Sequence, residues 1–160
     1  MTTHRLFKVA RPVLGLLLIV TCVAATVAGG FQLRVDVPQD DSEVVVLVRT
    51  YRCHQPEKAR VTGTAEGLVD GQRVSVPITL KTVEKGVYSV ERQWSARGAW
   101  VLAFSGSYAG QHTSTVVTLD DQGKVAVRET ERGTELDARI LPRKLKSSDV
   151  ERALQRITAP

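Results

Sequence analysis

The sequence predicts an all-β domain, a sandwich or a barrel, with about eight antiparallel strands between Phe31 and Arg128. The first observation is the stretch at residues 86–108, which holds five of the eight aromatic residues in the 160-residue chain. Large apolar side chains alternate there with small or polar ones, the period of two expected for strands with one buried face. The second observation is that similar short runs, separated by turn signals, recur on both sides of it.

The strands before this stretch follow from alternation and from β-branched residues. Residues 31–37 alternate apolar and polar side chains as far as Pro38. Residues 43–51 are so rich in valine that we expect a central strand deep in a sheet. A third strand spans residues 59–68, where small residues on one face leave room for Trp100.

The fourth strand is predicted at residues 73–82. The Asp70-Gly71 dipeptide before it is a strong hairpin signal and joins it to the third strand. Proline cannot donate a ladder hydrogen bond, so Pro77 places this strand at an edge or at a bulge. Within residues 86–108 we expect two strands paired as a central hairpin, with Gly98 closing the loop.

The last predicted strands lie at residues 110–119 and 124–128, joined by a turn at Asp120-Asp121. From Glu129 the residues are charged without alternation, which indicates an extended tail lying along the domain. Ser148 and Glu151 have capping-box spacing at the start of a short helix. The apolar stripe of that helix comprises Val150, Ala153, Leu154 and Ile157.

A helix of about ten residues is marginal alone, so we expect this one to dock on another surface. It could cover the edge of a sheet, or it could bind a partner. The sequence predicts three segments in all: residues 1–30 as signal peptide or membrane anchor, residues 31–128 as the β domain, and residues 129–160 as the charged tail with its short amphipathic helix.

The first 30 residues have the features of a secretory signal peptide. A basic stretch precedes residues 13–28, which carry no charge, and small residues follow. A membrane tether at residues 13–30 is the alternative, although 16 helical residues span only about 24 Å of a ~30 Å hydrocarbon core. Lipidation at Cys22 is a third interpretation. The protein is therefore expected to be exported, periplasmic or extracellular, and either free or anchored through this segment.

The net charge of +5 does not indicate a nucleic-acid-binding protein. Three of the basic residues, Arg5, Lys8 and Arg11, lie in the predicted leader. Without them the balance is 19 basic to 17 acidic residues, so nucleic acid is not an expected partner. Cys53 would be the only cysteine of the exported part, which excludes an internal disulfide there.

Candidate metal ligands in the exported part are Cys53, His54 and His112. Adjacent strand residues point to opposite faces, so Cys53 and His54 could share an ion only on a loop, which Pro56 favours. No catalytic signature is visible, because Tyr108 stands where a nucleophile elbow needs serine. We expect no enzymatic activity and no cofactor.

Four stretches resemble, in this order, the exported bacterial immunoglobulin-like domains of the YtkA and CopC kind. The similarity covers roughly residues 43–106 and implies an immunoglobulin-like β-sandwich of about seven to eight antiparallel strands. Those families handle copper through histidine and methionine, but Met1 is the only methionine here, so the copper role is not implied. The stretches are Cys53-His54-Gln55-Pro56, Ala59-Arg60-Val61, Gly86-Val87-Tyr88-Ser89-Val90 and Gly98-Ala99-Trp100-Val101-Leu102.

The leading functional hypothesis is a non-enzymatic binding or structural module of the bacterial cell envelope. Such a fold contacts a protein partner through a strand edge or through its loops. The alternative is a periplasmic accessory protein for copper, zinc or redox chemistry that uses Cys53, His54 and His112.

Overall fold

The computed structural model describes residues 30–38, 43–130 and 133–158. Within these ranges the chain forms antiparallel sheets and one C-terminal helix, so the predicted all-β class is confirmed. Residues 1–29 of the predicted leader, Cys22 among them, lie outside the described residues. In the ranges that are described, no helix is both long and apolar enough to span a membrane.

In chain order, the strands and helices are β1 (Gln32–Asp36), β2 (Val44–Tyr51), a 3-10 turn (Pro56–Lys58), β3 (Arg60–Val69), β4 (Gln72–Ile78), β5 (Lys81–Glu84), β6 (Val87–Glu91), β7 (Ala99–Tyr108), β8 (Gln111–Thr118), β9 (Val127–Thr130), β10 (Gly133–Leu136), β11 (Ala138–Leu141) and α1 (Ser147–Thr158).

Most of these strands belong to two antiparallel sheets. The four-stranded sheet has the order β1-β2-β6-β5, and the five-stranded sheet has the order β11-β8-β7-β3-β4. β9 and β10 pair as a separate ribbon. The expected central position of β2 is confirmed, since it lies between β1 and β6. The expected edge position of Pro77 is also confirmed, since β4 is the last strand of its sheet.

One hydrophobic core is built from both large sheets. The hydroxyl of Thr115 on β8 also donates to the carbonyl of Leu33 on β1 at 2.9 Å, which links the two sheets directly. Burial of these side chains is the main stabilising contribution, at roughly 25 cal/mol per Å² of apolar surface. Core side chains from the four-stranded sheet include Leu33, Val46, Val48 and Val90, and those from the five-stranded sheet include Ala65, Trp100, Leu102, Phe104 and Val117.

The central hairpin predicted at residues 86–108 is wrong. β6 pairs with β2 and β5, whereas β7 pairs with β3 and β8 in the other sheet. The segment between them crosses from one sheet to the other, and its Trp94 is buried in the shared core. Gly98 has the expected positive φ of 98°, but it lies in this crossing segment and not in a hairpin loop. Alternation reports that one face is buried, and it does not identify the neighbouring strand.

The predicted fourth strand is divided between the two sheets. β4 belongs to the five-stranded sheet and β5 to the four-stranded one, so the chain changes sheets at Thr79 and Leu80. At this point the side chain of Gln93 makes the backbone hydrogen bonds that a neighbouring strand would otherwise make. It accepts a hydrogen bond from the Thr79 N–H at 2.8 Å and donates to the Thr79 carbonyl at 3.0 Å. Such a side-chain substitute leaves no periodic signal in the sequence.

The predicted hairpin at Asp70-Gly71 is confirmed. Both residues have positive φ, 52° and 77°, and the flanking Val69 and Gln72 pair across the turn. This backbone geometry matches the twist of the strands, and it favours Asp-Gly sequences because few other residues adopt it.

Glycines on β3 make room for two large core side chains, Trp100 and Phe104. Gly67 lies opposite Trp100 in the strand register, and a Cβ on Gly67 would come within 2.5 Å of the indole ring. Gly63 lies opposite Phe104, and a Cβ on Gly63 would come within 2.8 Å of the phenyl ring. The sequence predicted small residues beside Trp100, and the structure identifies Gly67 as the glycine in contact with it.

The C-terminal segment completes the five-stranded sheet and then covers it. The tail expected from residue 129 contains β10 and β11, and β11 pairs with β8 as an edge strand. α1 then packs on the outer face of β7 and β8. The expectation that the helix covers a sheet edge is wrong, because β7 and β8 are interior strands. The predicted apolar stripe is confirmed, since Val150, Ala153, Leu154 and Ile157 pack there with Val101, Ala103, Val116 and Leu141.

The capping box predicted for α1 is wrong by two positions. The helix begins at Ser147, and the Asp149 carboxylate accepts a hydrogen bond from the Lys146 N–H at 3.1 Å. Glu151 is bound elsewhere, to the Arg73 guanidinium at 2.7 Å. Both oxygens of Asp149 also accept from Arg143, at 2.7 Å each, so the carboxylate is held beside the start of the helix.

The Asp149 contacts predict an acid-sensitive stability. The Arg143 guanidinium and the Lys146 N–H lower the Asp149 pKa from 3.8 to about 2, against the opposing effect of burial. Because the folded pKa is the lower one, this stabilisation is complete above about pH 5 and is lost as pH falls towards 2. We expect Asp149→Asn to lower the free energy of unfolding by about 1 kcal/mol near pH 6, a modest value because Arg143 is partly exposed.

Urea denaturation at several pH values between 2 and 6 measures this difference. The difference in free energy of unfolding between the wild type and Asp149→Asn should vanish as pH falls. Asp121→Asn, at an exposed position, should have the same free energy of unfolding as the wild type throughout. Wild-type and Asp149→Asn curves that stay parallel down to pH 2 would contradict the assignment.

Candidate functional site

The three candidate metal ligands occupy two separate elements. Cys53 and His54 lie on the irregular segment after β2, as Pro56 predicted, with Cys53 half-buried as a free thiol and His54 exposed. His112 is exposed near the start of β8, opposite Ser107. Across residues 30–38, 43–130 and 133–158, no three His, Cys, Asp or Glu side chains are grouped so that they could hold a metal ion. The geometry therefore gives the metal hypothesis no preformed site.

The segment that carries Cys53 and His54 is fixed by contacts of another kind. The Gln55 N–H donates to the Tyr108 hydroxyl at 3.3 Å, and the Tyr108 ring lies 5.8 Å from that of Phe31. Cys53 packs against the hydrophobic core. These contacts support a packing role for this part of the chain.

A cleft of about 910 Å³ lies at one end of the two sheets. It opens where β1 ends and β2 begins, and it is bounded on the far side by the turn before Val125 and by the β9–β10 ribbon. We call it the valine cleft. Its apolar side chains are Val37, Val44, Val45, Val125, Val127 and Leu136.

One wall of the valine cleft is the turn at residues 120–124. The Asp120 carboxylate accepts from the backbone N–H groups of Gln122 and Lys124, at 3.0 and 2.8 Å. The Arg92 guanidinium donates to the Gln122 carbonyl at 2.8 Å and lies over Gly123, where any Cβ would overlap it. The wall is thus held in place by hydrogen bonds, and the carboxylate of Asp120 has the turn role that the sequence predicted.

The rim of the valine cleft carries both signs of charge. Glu91 forms an ion pair with Lys81 at 2.6 Å, and the Arg92 guanidinium is bound to the turn carbonyl of Gln122. Glu43 and Lys124 make no side-chain hydrogen bond or ion pair with any residue in the described ranges. The cleft therefore combines an apolar lining with two charged groups of opposite sign that a ligand could engage.

Sequence reasoning did not find the valine cleft. The valine-rich start of β2 was interpreted as buried, whereas Val44 and Val45 are only partly buried. Val127 lies at the end of the last predicted strand and Leu136 in the predicted tail. Segments distant in sequence form the lining, so no local motif indicates it.

Comparison of the chain with protein-family models, with curated proteins and with solved structures finds no match. The function is therefore inferred from the residues and their geometry.

Proposed function

We propose that this chain is an exported binding module of the cell envelope with an immunoglobulin-like β-sandwich fold, and that it acts without catalysis. The strand orders β1-β2-β6-β5 and β11-β8-β7-β3-β4 support the sandwich, as does the core that both sheets share. The leader-like residues 1–30 support export. The resemblance to the YtkA and CopC kind of domain supports the same fold.

The observation that carries the binding proposal is the exposure of Val127 in the valine cleft. Its side chain is 60% exposed, although it stands among other apolar residues. A grouped exposed apolar surface costs free energy in water and typically marks a contact site. The proposed ligand would cover this surface.

The proposed occupant is an extended peptide segment of a partner protein. A volume of about 910 Å³ accommodates several residues and not merely one side chain. The β9–β10 ribbon borders the cleft, and extended segments recognise such strand elements by adding beside them. Apolar side chains at alternate positions would face the valines, and charged ones would meet Glu43 and Lys124.

Selection of a random nine-residue peptide library on the exported protein tests this proposal. We expect the enriched peptides to carry apolar residues at alternate positions, and we expect Val127→Asp to weaken their binding at least tenfold. Val83→Asp is the matched control, because Val83 is 57% exposed on β5, away from the cleft. Since both valines are more than half exposed, neither substitution should affect folding.

Enriched peptides without apolar alternation, or equal binding by wild type and Val127→Asp, would overturn the peptide proposal. The proposed export is tested separately, by measuring the intact mass of the protein recovered from an exporting bacterial host. A mass that corresponds to cleavage near Ala28, or to lipidation at Cys22, supports export, and recovery of the unprocessed chain in the cytoplasm contradicts it.

A further inference from the structure

A second concavity, of about 380 Å³, lies on the outer face of the five-stranded sheet. It is formed by the start of β3, the end of β7, the start of β8 and the segment before α1. We call it the basic groove. Its polar lining includes Arg60, Thr62, Ser105, Ser107, His112 and Lys144.

Strand register places the polar groups of the basic groove in rows. Arg60 pairs with Ser107, and Ser107 pairs with His112, so these three form one row across β3, β7 and β8. Thr62 and Ser105 form the next row. Directly opposed side chains stand about 5 Å apart, so a small ligand can contact several of them together.

The wall of the basic groove that carries Lys144 is held in place by side-chain contacts. The carbonyl of Arg143 accepts from the Ser114 hydroxyl at 2.9 Å, and the Arg143 guanidinium donates to the carbonyl of Lys144 at 3.0 Å. The same guanidinium is fixed by Asp149. The backbone beside the groove is therefore positioned before any ligand arrives.

The charge in the basic groove is of one sign. No acidic side chain lines it, and Arg60 and Lys144 form no ion pair with any residue in the described parts of the chain. Neighbouring Arg143, by contrast, is neutralised by Asp149. The hydroxyls of Thr62, Ser105 and Ser107 also make no hydrogen bond with a described residue. Two cations, an imidazole and three hydroxyl donors thus face the same space.

We propose that the basic groove binds a phosphate group. Arg60 provides paired guanidinium donors, Lys144 provides a second positive charge, and the hydroxyls and the imidazole of His112 complete the hydrogen bonds. The source is either a soluble phosphate or the headgroup of an anionic phospholipid. The site is separate from the valine cleft and does not depend on the proposed peptide binding.

Amide chemical-shift titration with potassium phosphate, against potassium chloride at equal ionic strength and pH, tests the proposal. We expect saturable shifts at Arg60, Ser107 and His112 in phosphate only. Arg60→Gln and Lys144→Gln should each weaken binding at least tenfold, as expected for loss of a charge-assisted hydrogen bond. Both side chains are exposed, and the dispersion of the same spectra reports folding.

Matched charge removals elsewhere provide the controls. Arg97→Gln removes a guanidinium just before β7, beside the end of β3 that lies farthest from Arg60. The two positions are roughly 25 Å apart along the strands. Lys124→Gln removes an amine in the valine cleft. Both should leave phosphate affinity within twofold. Absence of saturation, or equal weakening by Arg97→Gln and Arg60→Gln, would overturn the proposal.

Sedimentation with phosphatidylcholine vesicles, with and without phosphatidylglycerol, distinguishes the two sources. Binding to the anionic vesicles that Arg60→Gln abolishes assigns the groove to a lipid headgroup. Phosphate binding without vesicle binding assigns it to a soluble phosphate. Vesicle binding that survives in both groove variants contradicts the headgroup assignment.

Discussion

Replacing Gly67 with alanine is expected to lower the free energy of unfolding by about 3 kcal/mol. The new Cβ would lie 2.5 Å from Cε3 and 2.6 Å from Cδ2 of Trp100, closer than carbon atoms approach without displacement. Trp100 cannot move away easily, because it is buried and its Nε1–H donates to the Arg97 carbonyl at 2.9 Å. The strand backbone itself accepts alanine, so the loss measures the packing of the ring on the glycine.

Chemical denaturation followed by tryptophan fluorescence measures this loss. Gly71→Ala, in the β3–β4 turn, is the matched control, because a Cβ there meets nothing and only the positive φ is penalised, by about 1 kcal/mol. In a Trp100→Phe background the Gly67→Ala loss should shrink markedly, since neighbouring substitutions are not additive. Equal losses for Gly67→Ala and Gly71→Ala would contradict the contact.

Truncating Leu154 to alanine is expected to lower the free energy of unfolding by about 3 kcal/mol. Leu154 is 1% exposed and packs among Val101, Ala103 and Val116 on the outer face of the five-stranded sheet. The loss has two parts, the transfer of the missing methyl groups and the cavity that remains. Because α1 is short, its stability depends on this contact.

The expected signature of Leu154→Ala is early exchange of the amide hydrogens of α1, together with a lower denaturation midpoint. Gln155→Ala, on the exposed side of the same helix, should change neither. If Leu154→Ala unfolds at the wild-type midpoint, α1 is not an integral part of the fold.

The positions of β1 to β3 and of β6 to β8 were predictable because alternation and turn chemistry are local. The Asp70-Gly71 hairpin needs only two residues that accept positive φ, and the apolar stripe of α1 follows from helical spacing alone. The partners of β6 and β7 were not predictable, because a half-buried strand has the same pattern whichever sheet it joins. The outer face of β7 also broke the expected alternation, since Val101 and Ala103 are buried beneath α1.

The candidate sites, like the strands, were only partly predictable from the sequence. Residue types identified Cys53, His54 and His112 as possible ligands, but the chain path places His112 with Arg60 and Lys144 in the basic groove. No spacing in the sequence relates Arg60 to Lys144, because they meet only when the segment before α1 lies over β3, β7 and β8. The valine cleft depends in the same way on the ribbon that β9 and β10 form.

By itself the sequence determined an all-β chain with a tight Asp-Gly hairpin and an amphipathic C-terminal helix, because each depends on neighbouring residues. Only the tertiary structure decided which sheet each strand joins, which face the helix covers, and where the valine cleft and the basic groove form. These depend on contacts between residues far apart in the chain, and burial is favourable for any apolar partner of suitable shape.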